Sequence, residues 1–190
     1  MRYQEIIENN DVKGCFIAAK LSAADENILI NFCHELEIDP LPKNEYHMTL
    51  FKHKNIPLPD NLQSLNFSVE IDNYTTWGFF TLPEKGIRNA VFLRCVGTGA
   101  LVKYRHEILR SILPGSMLTP SGKIPQKYSD WVPHVSISFD DCELKRQEYD
   151  DKIMKIKTLL LSGRIKPPLT TLHFDGLIQT PFNNDYGKRI

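Results

Sequence analysis

The chain has 190 residues, 42% of them hydrophobic, and its 23 Lys and Arg balance 23 Asp and Glu. That length suits one domain, over the whole of 1–190, with a sizeable core. Zero formal net charge is unlike the basic excess of proteins that wrap long nucleic acid. No run of about 20 apolar residues offers a membrane span, and the first thirteen residues show no apolar core of a secretion signal. Cys15, Cys33, Cys95 and Cys142 form no C-x-x-C pair, so neither a zinc cluster nor a disulfide framework is expected. Together these features predict a cytoplasmic protein with reduced thiols.

In chain order, CFIAAKL (15–21) reads as a buried strand. Ser22 stands at an N-cap position, with Asp25 and Glu26 in the following turn. Ile28, Leu29, Phe32 and Leu36 recur at helical spacing and predict a helix over about 23–36, closed off by Pro40 and Pro42. A strand through His47 follows, then a proline-containing loop over 55–61. Phe67, Val69 and Ile71 alternate with polar residues, a half-buried strand that extends, through a bulge, toward Trp77 and Phe79.

The order then repeats. AVFLRCV (90–96) predicts a strand. Thr98 caps a helix striped by Leu101, Val102, Ile108, Leu109 and Ile112, which Pro114 and Gly115 end. A long loop over 114–131 leads to a strand through His134. The charged run 140–152 reads as a solvated face, 153–161 as a helix, 169–179 as a late strand and 183–190 as a tail. Strand–helix–histidine strand–strand thus occurs twice. Two copies of one unit commonly pack about a pseudo-twofold axis, so the expected fold is α+β and two-lobed, with mainly antiparallel sheets around a central cleft and a folded core over about 13–180.

The chemistry concentrates in two short strings, His47-Met48-Thr49-Leu50 and His134-Val135-Ser136-Ile137. Alternate side chains of a strand share a face. Each string therefore offers an imidazole beside a hydroxyl, with apolar side chains behind. One motif histidine alone reads as an ordinary strand histidine, but the matched pair favours catalysis. Facing one cleft, they supply two proton carriers and two hydroxyl donors, a set suited to acid–base cleavage of a phosphodiester with no metal or other cofactor.

Phosphate also calls for cations. Arg94 and Lys20 are candidates because each interrupts an apolar strand. Bases call for flat partners, for which Trp77 and Phe16 are candidates, with core packing as the alternative for both. Trp131 and Tyr46 adjoin the motifs and are expected to face the core or the lips of the cleft. His34 and His106 fall on helices and read as structural or solvated, and His53 reads as a loop residue. His173 and Asp175 share the late strand, with groove contact the lesser expectation.

The paired H-x-[T/S]-x strings, each after a strand–helix pair, resemble the two-histidine phosphodiesterase superfamily over about residues 13–180. Within it, FIAAKLS (16–22), YHMTLF (46–51), VFLRCV (91–96), YRHEIL (104–109) and WVPHVSISFD (131–140) are most similar to phage anti-CBASS phosphodiesterases, which destroy cyclic oligonucleotide alarm signals of bacterial defence. That resemblance implies a hydrolase with His47, Thr49, His134 and Ser136 as catalytic groups. It also implies a small cyclic di- or trinucleotide as substrate, cyclic GMP–AMP among them, and the host cytoplasm as the setting. The superfamily leaves two alternatives open: opening of RNA 2′,3′-cyclic phosphates, or trimming of 2′,5′-oligoadenylate. A nucleotide-sequestering module without turnover is a third reading, but pure binding has no need of both imidazoles and both hydroxyls. Base identity, ring size, the roles of the two histidines and the number of subunits are not encoded in any motif.

Overall fold

The computed structural model describes residues 14–53, 56–59, 62, 66–73, 77–82, 86–97, 99–126, 131–140 and 146–182. The first-half unit runs as β1 (Gly14–Leu21), α1 (Ala23–Glu35), β2 (His47–His53) and β3 (Phe67–Asn73). Ser22 caps α1 by accepting the Asp25 N–H at 3.3 Å on its hydroxyl, and Asp25 and Glu26 complement the helix dipole in the first turn. The helix ends where the chain turns left-handed at Glu37, φ 56°. Leu29, Phe32 and Cys33 form its buried stripe.

The second half runs as β4 (Trp77–Leu82), β5 (Gly86–Cys95), α2 (Gly99–Ile112), β6 (His134–Asp140), α3 (Arg146–Leu161) and β7 (Thr171–Phe182). A 3₁₀ turn at Gly115–Met117 follows α2. The α2 stripe buries Leu101, Ile108, Leu109 and Ile112, and also one cation, Arg105. None of the described helices is long and apolar enough to cross a membrane.

Among the described residues every strand pairing is antiparallel, and seven strands form one sheet in the order β3-β7-β1-β2-β6-β5-β4. A further pairing joins the edge strand β3 to β5, next to the opposite edge, so the two expected lobes share one sheet and are linked twice. The halves meet along β2 and β6, where Met48 stands opposite Val135. Both of these side chains are fully buried, as are Ile17, Ala19, Leu50, Leu93 and Ile137 on the same core face. The core is filled from α1 by Leu29 and Phe32 and from α2 by Ile108 and Leu109.

Four elements differ from the sequence expectations. Residues 77–82 do not continue β3 through a bulge but form β4, hairpin-paired with residues 86–91 at the start of β5. That longer β5 begins at Gly86, ahead of the apolar run that marked it. Helix α3 begins at Arg146, so much of the charged run is helical; Arg, Gln, Glu and Lys are good helix formers even without an apolar stripe. Strand β7 returns to the first half and lies between β3 and β1, while β4 holds the corresponding edge in the second half. Cys142, the Thr98 cap and the 183–190 tail lie outside the described residues.

Candidate active site

The register of the central strands assembles the site. With Met48 opposite Val135 in an antiparallel pair, His47 falls across from Ser136 and Thr49 across from His134. Burial alternates accordingly: Met48, Leu50, Val135 and Ile137 are buried, while His47, Thr49, His134 and Ser136 are half-buried. The four polar residues therefore form one block on the face opposite the core. Directly opposed positions in such a pair lie about 4.5–5.5 Å apart and diagonal ones about 7–8 Å. The two histidines take the diagonal. Each imidazole thus has its own unit's hydroxyl two residues along and the other unit's hydroxyl across the strand.

Both rings are held alike. His47 Nδ1 lies 2.6 Å from the Glu45 carbonyl, and His134 Nδ1 lies 2.9 Å from the Val132 carbonyl, each two residues upstream. A carbonyl oxygen only accepts, so Nδ1 carries the proton in both rings. The neutral tautomer then has its lone pair on Nε2. An aromatic ring braces each imidazole. Phe16 of β1 meets His47 edge-on at 5.3 Å, and Phe92 of β5 meets His134 at 5.1 Å, tilted by 54°. Phe16, a candidate partner for a base, is thus placed against the first histidine. Its counterpart Phe92 was not singled out from the sequence, although the repeat signalled it: each phenylalanine sits in the strand preceding its unit's helix.

Cations flank the block symmetrically. Lys20 pairs directly with His47 across β1 and β2, and Arg94 pairs directly with His134 across β5 and β6. Both cations expected near the phosphate therefore occupy register positions beside an imidazole. Arg94 also forms an ion pair with Asp72 of β3, Nε to Oδ2, at 3.3 Å. Trp77, the remaining candidate, pairs with Val91 through its backbone; its side chain lies outside the described residues.

Met48 and Val135 are the described pairing between β2 and β6, and farther along each strand side chains from the opposite half bond its carbonyls. Trp131 Nε1 donates to Thr49 O at 3.0 Å, and Arg105 Nε of α2 donates to Leu50 O at 2.9 Å. The Arg105 guanidinium stands 4.7 Å over the Trp131 ring. Burial lowers its pKa from 12.5 to about 10. On the other strand the Ile137 carbonyl, three residues after His134, accepts from Leu41 N at 3.0 Å and from Cys33 Sγ and Tyr46 Oη at 3.5 Å. Burial raises the Cys33 thiol to about 12 and pushes the Tyr46 phenol well above its usual value. Arg105 was missed as a site support, and Trp131, expected at the core or the lips of the cleft, was not foreseen as a donor to the Thr49 carbonyl. The available signal was an arginine standing in the α2 apolar stripe.

The other histidines lie elsewhere. His53 ends β2 and stacks on Phe51 at 6.1 Å, so it belongs to the strand and not to a loop. His173 of β7 is tied to the buried Asp25, whose Oδ2 takes its backbone N–H at 2.6 Å and faces its Nδ1 at 3.0 Å. Among the described residues no group of three or more His, Cys, Asp or Glu side chains is placed to hold a metal ion.

The described residues form a single antiparallel sheet built from two strand–helix–histidine strand units, an α+β architecture. Among solved structures, the fold is similar to that of Usb1 of Kluyveromyces marxianus, with a TM-score of 0.50. The match covers 90% of this chain and 95% of that one at 9% sequence identity, a likeness of fold. No protein-family model and no curated protein sequence matches the chain.

Proposed function

We propose that the chain is a phosphodiesterase that cleaves ribonucleotide 3′,5′ linkages by internal transesterification. The observation that carries this reading is the register of Met48 against Val135, which gathers His47, Thr49, His134 and Ser136 into one block. One imidazole, neutral at Nε2, removes the proton of the substrate's 2′-hydroxyl as that oxygen attacks phosphorus. The other, as imidazolium, gives its Nε2 proton to the departing 5′-oxygen. The P–O5′ bond breaks and a 2′,3′-cyclic phosphate remains; reversing the two proton transfers with water as nucleophile opens it. Each proton transfer is worth roughly 10²- to 10⁴-fold. The Thr49 and Ser136 hydroxyls donate to the non-bridging oxygens as charge builds there, and Lys20 and Arg94 lower the cost of holding the anion.

The pseudo-symmetry makes the two imidazoles chemically alike, so substrate polarity decides which acts as base. For the substrate, the zero net charge and the similarity to anti-CBASS enzymes favour a small cyclic di- or trinucleotide. The Usb1-like architecture gives comparable support to RNA-end or 2′,3′-cyclic phosphate chemistry. The deciding experiment incubates the protein in EDTA with cyclic GMP–AMP, cyclic triadenylate, RNA bearing a 2′,3′-cyclic phosphate, and 2′,5′-oligoadenylate, and resolves the products by chromatography. Linear products from the cyclic oligonucleotides at the highest rate, lost in His47→Ala and His134→Ala, are expected. All four substrates intact, or turnover surviving both substitutions, would refute the assignment.

A further inference from the structure

Beside His134 the sheet opens into a cavity of about 340 Å³, whose lining includes Asp72, Arg94, Cys95, Trp131, Val132 and Pro133. It lies at the seam where β3 meets the end of β5, with Ile71 opposite Cys95. Its volume falls within the roughly 300–1,000 Å³ of small-molecule sites. Two features tie it to the catalytic block. Arg94 on its wall is the direct cross-strand neighbour of His134, and Val132, also on its wall, supplies the carbonyl that holds the His134 ring. A phosphate engaged by His134 would therefore have its adjoining nucleoside at the mouth of this cavity.

The wall carries a carboxylate and a guanidinium side by side, Asp72 and Arg94 at 3.3 Å, each about half exposed on its side chain (49% and 51%). An ion pair so exposed contributes little to stability, and its groups remain reachable from solvent. Its chemistry fits one base edge better than the others. Guanine presents two adjacent N–H donors, N1–H and the N2 amino group, to a single carboxylate, with O6 and N7 as acceptors for an arginine fork. Adenine, cytosine and uracil each place only one donor position beside such a carboxylate.

Resting on the phosphodiesterase reading for its place beside the scissile phosphate, we infer that this cavity is a guanine-selective nucleoside subsite. Asp72 accepts from N1–H and N2–H, Arg94 donates to the O6 edge, and Trp131, Val132 and Pro133 contribute apolar surface. The test is equilibrium binding by calorimetry of the four nucleoside 3′-monophosphates and the four 5′-monophosphates, none of which needs turnover. The guanine nucleotide is expected to bind tighter than the others in at least one series by about tenfold or more, the worth of one good bidentate contact. Asp72→Asn should bring guanine to within about twofold of adenine, on the same scale of lost contacts, while leaving the adenine affinity unchanged. Arg94→Met also removes the cation assigned to the phosphate, so it should weaken all the nucleotides and the guanine nucleotide most, reducing the guanine preference. Equal affinities across the bases, no measurable binding, or an undiminished guanine preference in Asp72→Asn would overturn the subsite. Cleavage of the substrate panel is measured separately. A protein that cleaves without base preference keeps its activity and loses the subsite, and one that prefers guanine without cleaving keeps the subsite and loses the activity.

Discussion

Arg105 provides a way to separate what stabilises the fold from what sets the site. It is 6% exposed on the buried stripe of α2. Burial lowers its pKa from 12.5 to about 10, which at about 1.4 kcal/mol per pKa unit is a penalty of about 3 kcal/mol against the charged form. A folded-state pKa below the unfolded value means that this cost is present in full below about pH 10 and fades only as pH climbs from there toward 12.5. Two contacts offset it. The charge-assisted bond to Leu50 O at 2.9 Å is worth about 1.5–3 kcal/mol, and the stack over Trp131 at 4.7 Å is worth up to about 2 kcal/mol when desolvated. Arg105→Met removes penalty and contacts together, so it should lower unfolding free energy by no more than about 2 kcal/mol. Leu109→Ala on the same helix, fully buried, should cost about 2–5 kcal/mol. The order should reverse at the site, because losing Arg105 frees the Leu50 carbonyl one residue past Thr49. Urea unfolding gives the first ranking; hydrogen exchange of β2 amides and turnover give the second. If Arg105→Met destabilises more than Leu109→Ala, or leaves both β2 exchange and turnover at wild-type values, the proposed division of labour is wrong.

Thr49→Val and Ser136→Ala should each reduce turnover of the cleaved substrate by about 10²- to 10³-fold, the usual worth of one donor to a developing oxyanion, with Thr49→Ser largely restoring it. Steady-state kinetics on the three variants checks this, and wild-type turnover in both deletions would remove the hydroxyls from the mechanism. Burial raises the Cys15, Cys33 and Cys95 thiols to about 11, 12 and 12. In native protein at pH 8, peptide mass spectrometry should therefore find these three unmodified by iodoacetamide until urea is added. Since their folded pKa values lie above the unfolded one, the stability they contribute is whole below about pH 9 and declines above it; urea midpoints measured from pH 8 to 11 should fall. Asp25→Ala deletes the acceptor shared by the His173 N–H and imidazole and should cost about 1–3 kcal/mol. Faster exchange of the His173 amide should accompany that loss, and unchanged exchange would mean the pair does not tie β7 to α1.

The histidine strands were legible because strand alternation is local: His47 and Thr49 share a face whatever surrounds them. Helix α1 was legible for the same reason, with a capping serine, two acidic residues and an apolar stripe all within fourteen positions. The residues that proved illegible act over distance. Asp72 matters through a side chain in a different strand, and Trp131 and Arg105 matter through carbonyls of β2 more than fifty positions away. No periodicity encodes such contacts. Strand β4 was hidden as a separate element because the polar stretch before Trp77 reads as a bulge within β3, and its partner residues 86–90 lack the apolar density of the rest of β5. The return of β7 beside β1 is a matter of topology, which alternation within one strand does not specify.

The junction of the two halves explains why an imperfect repeat could still build a symmetric site. Only backbone register and side-chain size are demanded where Met48 meets Val135, since both are buried apolar residues on the core face. Once that pair is set, His47 necessarily faces Ser136 and His134 necessarily faces Thr49, so neither half needs to recognise the other's polar residues. Farther along, each half holds the other's motif strand by different means. The second half uses a buried guanidinium and an indole on Thr49 and Leu50; the first uses an amide, a thiol and a phenol on Ile137. The supports diverge in chemistry while their targets coincide, the carbonyls of Leu50 and Ile137, each three residues past its histidine. Sequence identity between the halves can therefore be slight without disturbing the geometry, because the symmetry resides in which backbone atoms are held and not in which side chains hold them.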